Sequence, residues 1–124
     1  MNFLIRTFLV FGWGLVIFIS LTAPVPEYNP ENYGAGFYDK GAHIALFGIF
    51  AYLIIYALIA APKPRLKLII LISFIISSLY AILGEYIQTF IPGRGFSWLD
   101  FWVGVFGICL AQIYGYFRFK NKKT

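Results

Sequence analysis

The apolar positions of this chain fall into four long runs separated by short polar connectors. Residues 7–23, 41–61, 68–84 and 101–117 contain no Asp, Glu, Lys or Arg. A helix needs about 20 residues to cross the hydrocarbon core of a bilayer, with about 17 as the lower limit. Lipid cannot pair open backbone groups, and no strand-like alternation is present, so the runs predict helices. We therefore predict an all-α, single-domain bundle of four transmembrane helices at about residues 3–23, 39–61, 68–91 and 99–118.

Composition strengthens this prediction. Hydrophobic residues make up 60% of the 124 residues and charged residues 12%, whereas about 25% charged residues is usual in a soluble domain. A soluble fold of this length could not bury so much apolar surface, so the expected surroundings are membrane lipids. Cys109 is the one cysteine, which excludes an intrachain disulfide, and we expect it to be a small buried hydrophobe.

The charges are distributed unevenly between the connectors, and this predicts a topology. We expect an outer loop at 24–38, an inner loop at 62–67, a second outer loop at 92–98 and a basic inner tail at 119–124. Placing the N-terminus inside gives inner basic residues Arg6, Lys63, Arg65, Lys67, Arg118, Lys120, Lys122 and Lys123, and outer ones Lys40 and Arg94. This bias favours both termini inside, and it explains the net charge of +5 without a nucleic-acid partner. Cleavage of the first run as a signal peptide is disfavoured, because Leu21 occupies a position that needs a small residue.

The unusual polar residues all fall at the predicted outer end. They are Asp39, Lys40, His43, Glu85, Gln88, Arg94 and Asp100. Helical spacing puts Asp39 and His43 on one face, and Glu85 and Gln88 on another. We expect these side chains to converge, with Arg94, Lys40 or His43 as the partner of the Glu85 carboxylate. Ionisable residues inside a membrane bundle are candidates for function.

A structural interpretation of the same residues remains open. A buried polar network can do no more than hold four helices in register, and Asp100 could be the N-cap of the last helix or a first-turn carboxylate. Small residues continue both faces, namely Ser77 and Ala81 behind Glu85, and Gly104, Gly107 and Ala111 behind Asp100. Because small residues let helices approach closely, we predict that the third and fourth helices pack along these faces.

Two segments resemble the VanZ-like membrane protein family. They are DKGAH, residues 39–43, and GEYIQTFIPGRGFSWLDFWVGVFG, residues 84–107. The family pattern is Asp-Lys-x-x-His, then Glu-x-x-Gln, a Pro-Gly-Arg turn, and an Asp that opens the last helix. Gly104 departs from it, since the family usually has Asn there, whereas Gly107 matches. The resemblance implies a plasma-membrane protein with an accessory role in the cell envelope, of the type associated with teicoplanin resistance, without a settled reaction.

Three hypotheses for function follow. In the first, Arg94 and Lys40 bind an anionic group, such as the phosphate of a lipid or cell-wall precursor or the carboxylate of a glycopeptide. In the second, Asp39, His43, Glu85 and Asp100 supply acid–base chemistry or hold Zn²⁺ or Mn²⁺ for a lipid-linked substrate. No HExxH or GxSxG signature is present, so we assign no catalytic residue and expect no cofactor or metal. In the third, the protein is a structural or partner-binding subunit. The ligand and the oligomeric state stay open.

Overall fold

The computed structural model of the chain describes residues 2–23 and 35–121, with the side chains of the second range described from residue 40 onwards. Four α-helices cover nearly all of this part: α1 Phe3–Thr22, α2 Ala35–Leu58, α3 Leu66–Gln88 and α4 Trp98–Phe119. Each is long and apolar enough to cross a membrane. The prediction of an all-helical chain with four candidate spans is therefore confirmed for the described residues.

α2 begins at Ala35, four residues earlier than predicted and inside the predicted loop 24–38. The C-terminal ends of α2 and α3 also differ from the prediction, and proline explains both. α2 ends at Leu58 instead of 61, and the chain turns before Pro62. α3 ends at Gln88 instead of 91, and the next residues form three tight turns that lead to Pro92, with N–H···O distances of 3.0–3.2 Å. A proline lacks the N–H that a continuing helix needs, and it disfavours the α conformation at the residue before it. The polar end of the bundle, where α3 ends and α4 begins, is thus formed by turns.

α2 is the central helix. It contacts each of the other three, and its interface with α4 is the most extensive in the described structure. The buried core forms around α2, with Phe47 and Ala51 packed among Ile17 of α1, Ala81 of α3 and Ile108 of α4. α1 lies mainly against α2 and touches α3 only lightly. Large apolar side chains cover the outside of the bundle, which is the surface that a lipid-facing protein presents.

α3 and α4 pack together as predicted, but Gly104 and Gly107 of α4 face α2 and not α3. A Cβ atom on Gly107 would meet the backbone of Ile44, and one on Gly104 would lie 3.2 Å from the ring of Phe47. Both neighbours belong to α2, where Gly48 provides a matching close approach to the Gly107 carbonyl. Glycine on both helices lets the two backbones touch. Cys109 also differs from the prediction, because it lies on the exposed side of α4.

Ser73 of α3 connects three helices through hydrogen bonds inside the bundle. Its hydroxyl donates to the Ala51 carbonyl of α2 at 2.7 Å and accepts from Gln112 Nε2 of α4 at 3.1 Å. Ser77 and Ala81, which continue the same face, are also buried. These hydrogen bonds pair polar groups inside the bundle, where lipid could offer them no hydrogen-bond partner. The small face of α3 therefore lies towards α2.

α1 is tied to its neighbours by four side-chain donors, of which three lie away from the polar end. Trp13 Nε1 donates to the Leu46 carbonyl at 2.8 Å, and the Tyr80 hydroxyl donates to the Gly14 carbonyl at 2.7 Å. At the other end of the bundle, Arg6 donates to the backbone carbonyl of Tyr56 at 2.8 Å, and its guanidinium lies over the Tyr56 ring. These bonds hold α1 in place although its packing against α3 is sparse.

Candidate functional site

The Glu85 carboxylate lies at the junction of three helices. Its side chain is 1% exposed and stands one turn before the end of α3. Oε1 is 3.3 Å from His43 Nε2 of α2, and Oε2 accepts a hydrogen bond of 3.2 Å from the backbone N–H of Ser97. A carboxylate this deeply buried needs such partners, and the N-terminus of α4 favours negative charge. Of the three partners predicted for Glu85, His43 is the one in contact.

His43 occupies the α2 side of this junction and is 2% exposed. Its ring lies against the ring of Phe47, with centroids 6.1 Å apart and an interplanar angle of 34°. In a second contact, Nε2 lies 3.3 Å from Glu85 Oε1. The histidine is therefore part of the polar network and not an isolated core residue.

Asp100 lies in the first turn of α4, and 13% of its side chain is exposed. Lys40 Nζ of α2 approaches Asp100 Oδ1 at 3.4 Å, with the lysine side chain 38% exposed. A partly exposed pair at this distance contributes roughly 0–1 kcal/mol to stability. The N-cap of α4 is Ser97 and not Asp100, because the Ser97 hydroxyl accepts the Asp100 N–H at 3.2 Å.

His43, Glu85 and Asp100 thus come together from three different helices. One nitrogen or oxygen atom from each can be chosen so that all three lie within 4.8 Å of one another. The predicted convergence of α2, α3 and α4 at the polar end holds for these residues and for Lys40. The side chain of Asp39 lies outside the described part of the structure.

Arg94 lies elsewhere at the polar end. Its Nε donates a hydrogen bond of 3.0 Å to the Ala23 carbonyl, where α1 ends. The preceding turn contains Gly93 with a φ of 81°, a conformation that favours glycine. Among the described residues Arg94 forms no ion pair, so it does not hold Glu85 and Asp100 together. It is half-buried beside the end of α1.

Gln88 also faces α1 and not the carboxylates. Its Nε2 donates to the Leu21 carbonyl at 3.2 Å, and the residue is 3% exposed. The predicted cluster therefore divides into two groups. His43, Glu85, Asp100 and Lys40 form one group between α2, α3 and α4, while Gln88 and Arg94 contact the last residues of α1.

Two residues that matter here were missed by the sequence analysis. Ser97 both caps α4 and donates its N–H to Glu85. Its signal was visible, since a serine three residues before an acidic residue at the start of an apolar run is typical of a helix N-terminus. The role of Gln112 could not be predicted, because a single amide within an apolar run does not indicate which residue it will bond to.

An apolar groove of about 700 Å³ lies between α1, α2 and α3. Its walls include Phe11 and Phe18 of α1, Ile54 of α2, and Ile76 and Tyr80 of α3. A smaller cavity shares Phe18 and Tyr80 with the groove, and it is also lined by Thr22, Gly84 and Ile87. The lining of this smaller cavity reaches Thr22, the last residue of α1, and Arg94 bonds to the next residue, Ala23, without lining either space.

Comparison with protein-family models, with curated proteins and with solved structures gave no match for this chain. The assignment of a function therefore depends on the geometry of the polar end and of the groove beneath it.

Proposed function

We propose that this protein binds an anionic membrane lipid, with the headgroup at Arg94 and a hydrocarbon chain in the groove between α1 and α3. The observation that carries this proposal is the position of Arg94. Its guanidinium is bonded through Nε to the Ala23 carbonyl, next to Thr22, which lines the small cavity beside the groove.

The geometry of Arg94 suits recognition of a phosphate. Nε donates to a carbonyl, and the two terminal nitrogens form no ion pair among the described residues. A guanidinium offers paired N–H groups that match a phosphate or carboxylate in two parallel hydrogen bonds. The hydrogen bond to Ala23 also restricts the side chain before the ligand arrives, which lowers the entropy lost on binding.

The nearby carboxylates do not neutralise this arginine. Glu85 is engaged by His43 and by the Ser97 N–H, and Asp100 by Lys40. The positive charge of Arg94 therefore remains available to a ligand. In the predicted orientation it lies at the outer membrane surface, where lipid headgroups are found.

The groove supports a lipid over a soluble anion. Its volume of about 700 Å³ falls in the range of about 300–1,000 Å³ that is typical of small-molecule sites. Apolar side chains form nearly all of its wall, and the groove lies among helices long enough to span a bilayer. An acyl chain is the apolar partner that such surroundings supply.

The resemblance to the VanZ-like family agrees with this proposal. Arg94 belongs to the Pro-Gly-Arg turn of the family pattern, and the family implies an accessory role in the cell envelope. We therefore propose an envelope function in the plasma membrane, exercised through a bound anionic lipid or lipid-linked precursor.

The test measures which lipids stay bound to the purified protein. We expect native mass spectrometry to detect retained phosphatidylglycerol in preference to phosphatidylcholine. Arg94→Ala should abolish the preference, and Arg94→Lys should restore only part of it, because an ammonium cannot bind bidentately. An Arg94→Ala protein with the wild-type preference would refute the role of Arg94.

A second pair of variants tests the groove. Ile76→Trp fills it and should lower lipid retention, whereas Leu79→Trp lies on the same helix, exposed and outside the groove, and should not. Equal retention in both variants would remove the groove from the proposal. Binding of teicoplanin without binding of phosphatidylglycerol would replace the lipid with a glycopeptide as the ligand.

A further inference from the structure

We propose that His43, Glu85 and Asp100 bind a divalent metal ion, Zn²⁺ or Mn²⁺, at the polar end of the bundle. This site is separate from the lipid headgroup site, because none of its ligands contacts Arg94 among the described interactions. From the sequence we considered Zn²⁺ or Mn²⁺ binding by Asp39, His43, Glu85 and Asp100 as one hypothesis but expected no metal, because the ligands come from separate helices and form no short motif.

The spacing of the three groups fits a first coordination sphere. Zinc–nitrogen and zinc–oxygen bonds of about 2.0–2.2 Å place neighbouring ligands of a tetrahedral site roughly 3.4 Å apart. His43 Nε2 and Glu85 Oε1 are already 3.3 Å apart. One ligand atom from each of the three side chains can be chosen so that all three lie within 4.8 Å of one another. Asp100 is the most exposed of the three, so a rotation of its side chain can close the remaining distance.

The types of ligand indicate which metals suit the site. One imidazole and two carboxylates provide nitrogen and oxygen donors, which suit Zn²⁺ and Mn²⁺. Metals that prefer sulfur ligands, such as Cu⁺, fit this set of donors less well. Three protein ligands leave a fourth position, and Asp100 lies on the side that reaches solvent. Zinc sites with three protein ligands and one open position typically bind water or a substrate oxygen there.

The electrostatics of the cluster favour a cation. One oxygen of the Glu85 carboxylate and one of the Asp100 carboxylate lie within 4.8 Å of each other. Glu85 is only 1% exposed. A divalent cation attracts two carboxylates more strongly than the single ammonium of Lys40 attracts Asp100, and this attraction is larger where water is excluded.

The surroundings hold the ligands in place. The Ser97 N–H fixes Glu85 Oε2, which leaves Oε1 directed at His43. The Ser97 hydroxyl caps α4 and so fixes the turn that carries Asp100. Such supporting hydrogen bonds position the ligands before the metal binds and raise the affinity.

Lys40 competes with the metal for Asp100. Its ammonium is 3.4 Å from Asp100 Oδ1 and must give way when the carboxylate turns to the ion. Removing this competitor should strengthen metal binding by up to about fivefold, the value of a partly exposed ion pair. A gain of affinity on loss of a polar residue is an outcome that a purely structural network would not produce.

The experiment uses the full chain purified without a polyhistidine tag, because the protein has one histidine and one cysteine. Zn²⁺ or Mn²⁺ is added to the protein in detergent, and stoichiometry and Kd are measured by elemental analysis and calorimetry. Substitution with Co²⁺ then reports the geometry by its visible spectrum. X-ray absorption of the zinc form should show one imidazole ligand, which can only be His43.

Four variants complete the test. Asp100→Asn and Glu85→Gln should each weaken binding by about 100-fold or more, since loss of a supporting group alone costs about 10–100-fold. Lys40→Gln should tighten it, and Cys109→Ala, the control for thiol binding, should leave it unchanged. Metal binding by the wild-type protein tests the proposal even if a variant fails to fold. Absence of a 1:1 complex, or a complex without imidazole, would overturn the proposal, as would wild-type affinity in a folded Asp100→Asn protein.

Discussion

His43 of α2 and Glu85 of α3 face each other with Nε2 and Oε1 3.3 Å apart, and both side chains are almost completely shielded from the surroundings. The contact connects the two helices just below the turn that leads into α4. Because Ser97 donates to the second oxygen of the same carboxylate, one residue joins α2, α3 and α4. The polar end is therefore a stabilising element of the bundle as well as a candidate site.

The first prediction concerns this carboxylate. Glu85→Ala removes the carboxylate that lies 3.3 Å from His43 Nε2 and that accepts the Ser97 N–H, and breaking a buried pair in this way costs about 3–5 kcal/mol of unfolding free energy. Glu85→Gln keeps an oxygen for the Ser97 N–H and should cost less. Denaturant unfolding in detergent micelles measures both, with the exposed Leu79→Ala as the control. A Glu85→Ala protein as stable as the control would contradict the assigned role.

The second prediction concerns the contact between α2 and α4. Gly107→Ala would press a methyl group onto the backbone of Ile44, and overpacking of this kind typically costs about 1–3 kcal/mol. Gly41→Ala is the matched control, because a Cβ atom there meets nothing within 4 Å. We expect a lower midpoint of thermal unfolding for the first variant only. Equal midpoints would show that the two backbones are farther apart than the structure places them.

The third prediction compares two buried serines one turn apart on α3. Ser73→Ala removes the hydrogen bonds to Ala51 and Gln112, and a bond between membrane helices is worth about 0.6 kcal/mol on average and at most about 1.7. Ser77 Oγ has no hydrogen-bond partner among the described residues, so Ser77→Ala should be neutral or stabilising. Measured unfolding free energies should separate the two, and a double-mutant cycle of Ser73→Ala with Gln112→Leu should be non-additive. Additivity would argue against the bond between them.

The fourth prediction concerns orientation in the membrane. In a Cys109→Ala background, Gly95→Cys in the turn between α3 and α4 should react with a membrane-impermeant maleimide in intact cells. Lys120→Cys, just after α4, should react only after the cells are opened. The reverse pattern would mean that the basic connectors face outwards and that the charge bias does not orient this chain.

Much of the architecture could be read from the order of residues. Four apolar runs of sufficient length require four helices, since lipid offers the backbone no partners, and Pro62 and Pro92 set where two of the helices must stop. The convergence of His43, Glu85 and Asp100 was also predictable, because spacing and the alternating direction of the helices bring them to one end.

Other features depended on which helices are neighbours. Periodicity placed Gly104 and Gly107 on one face of α4, but only the packing showed that α2 occupies that face. Arg94 lies between two carboxylates in sequence, yet it bonds to Ala23, because the Pro92–Gly93 turn directs it towards α1. Cys109 was expected inside and lies outside for the same reason, since composition does not reveal which side of a helix is covered.

The sequence by itself determined the helical character, the number of candidate spans in the described chain and the end at which the polar residues gather. These depend on local properties: hydrophobic length, helix-stopping residues and spacing along one helix. Only the tertiary structure decided the partners, namely His43 for Glu85, Lys40 for Asp100 and the end of α1 for Arg94. Partner choice depends on distances between separate helices, and these result from how all four pack together.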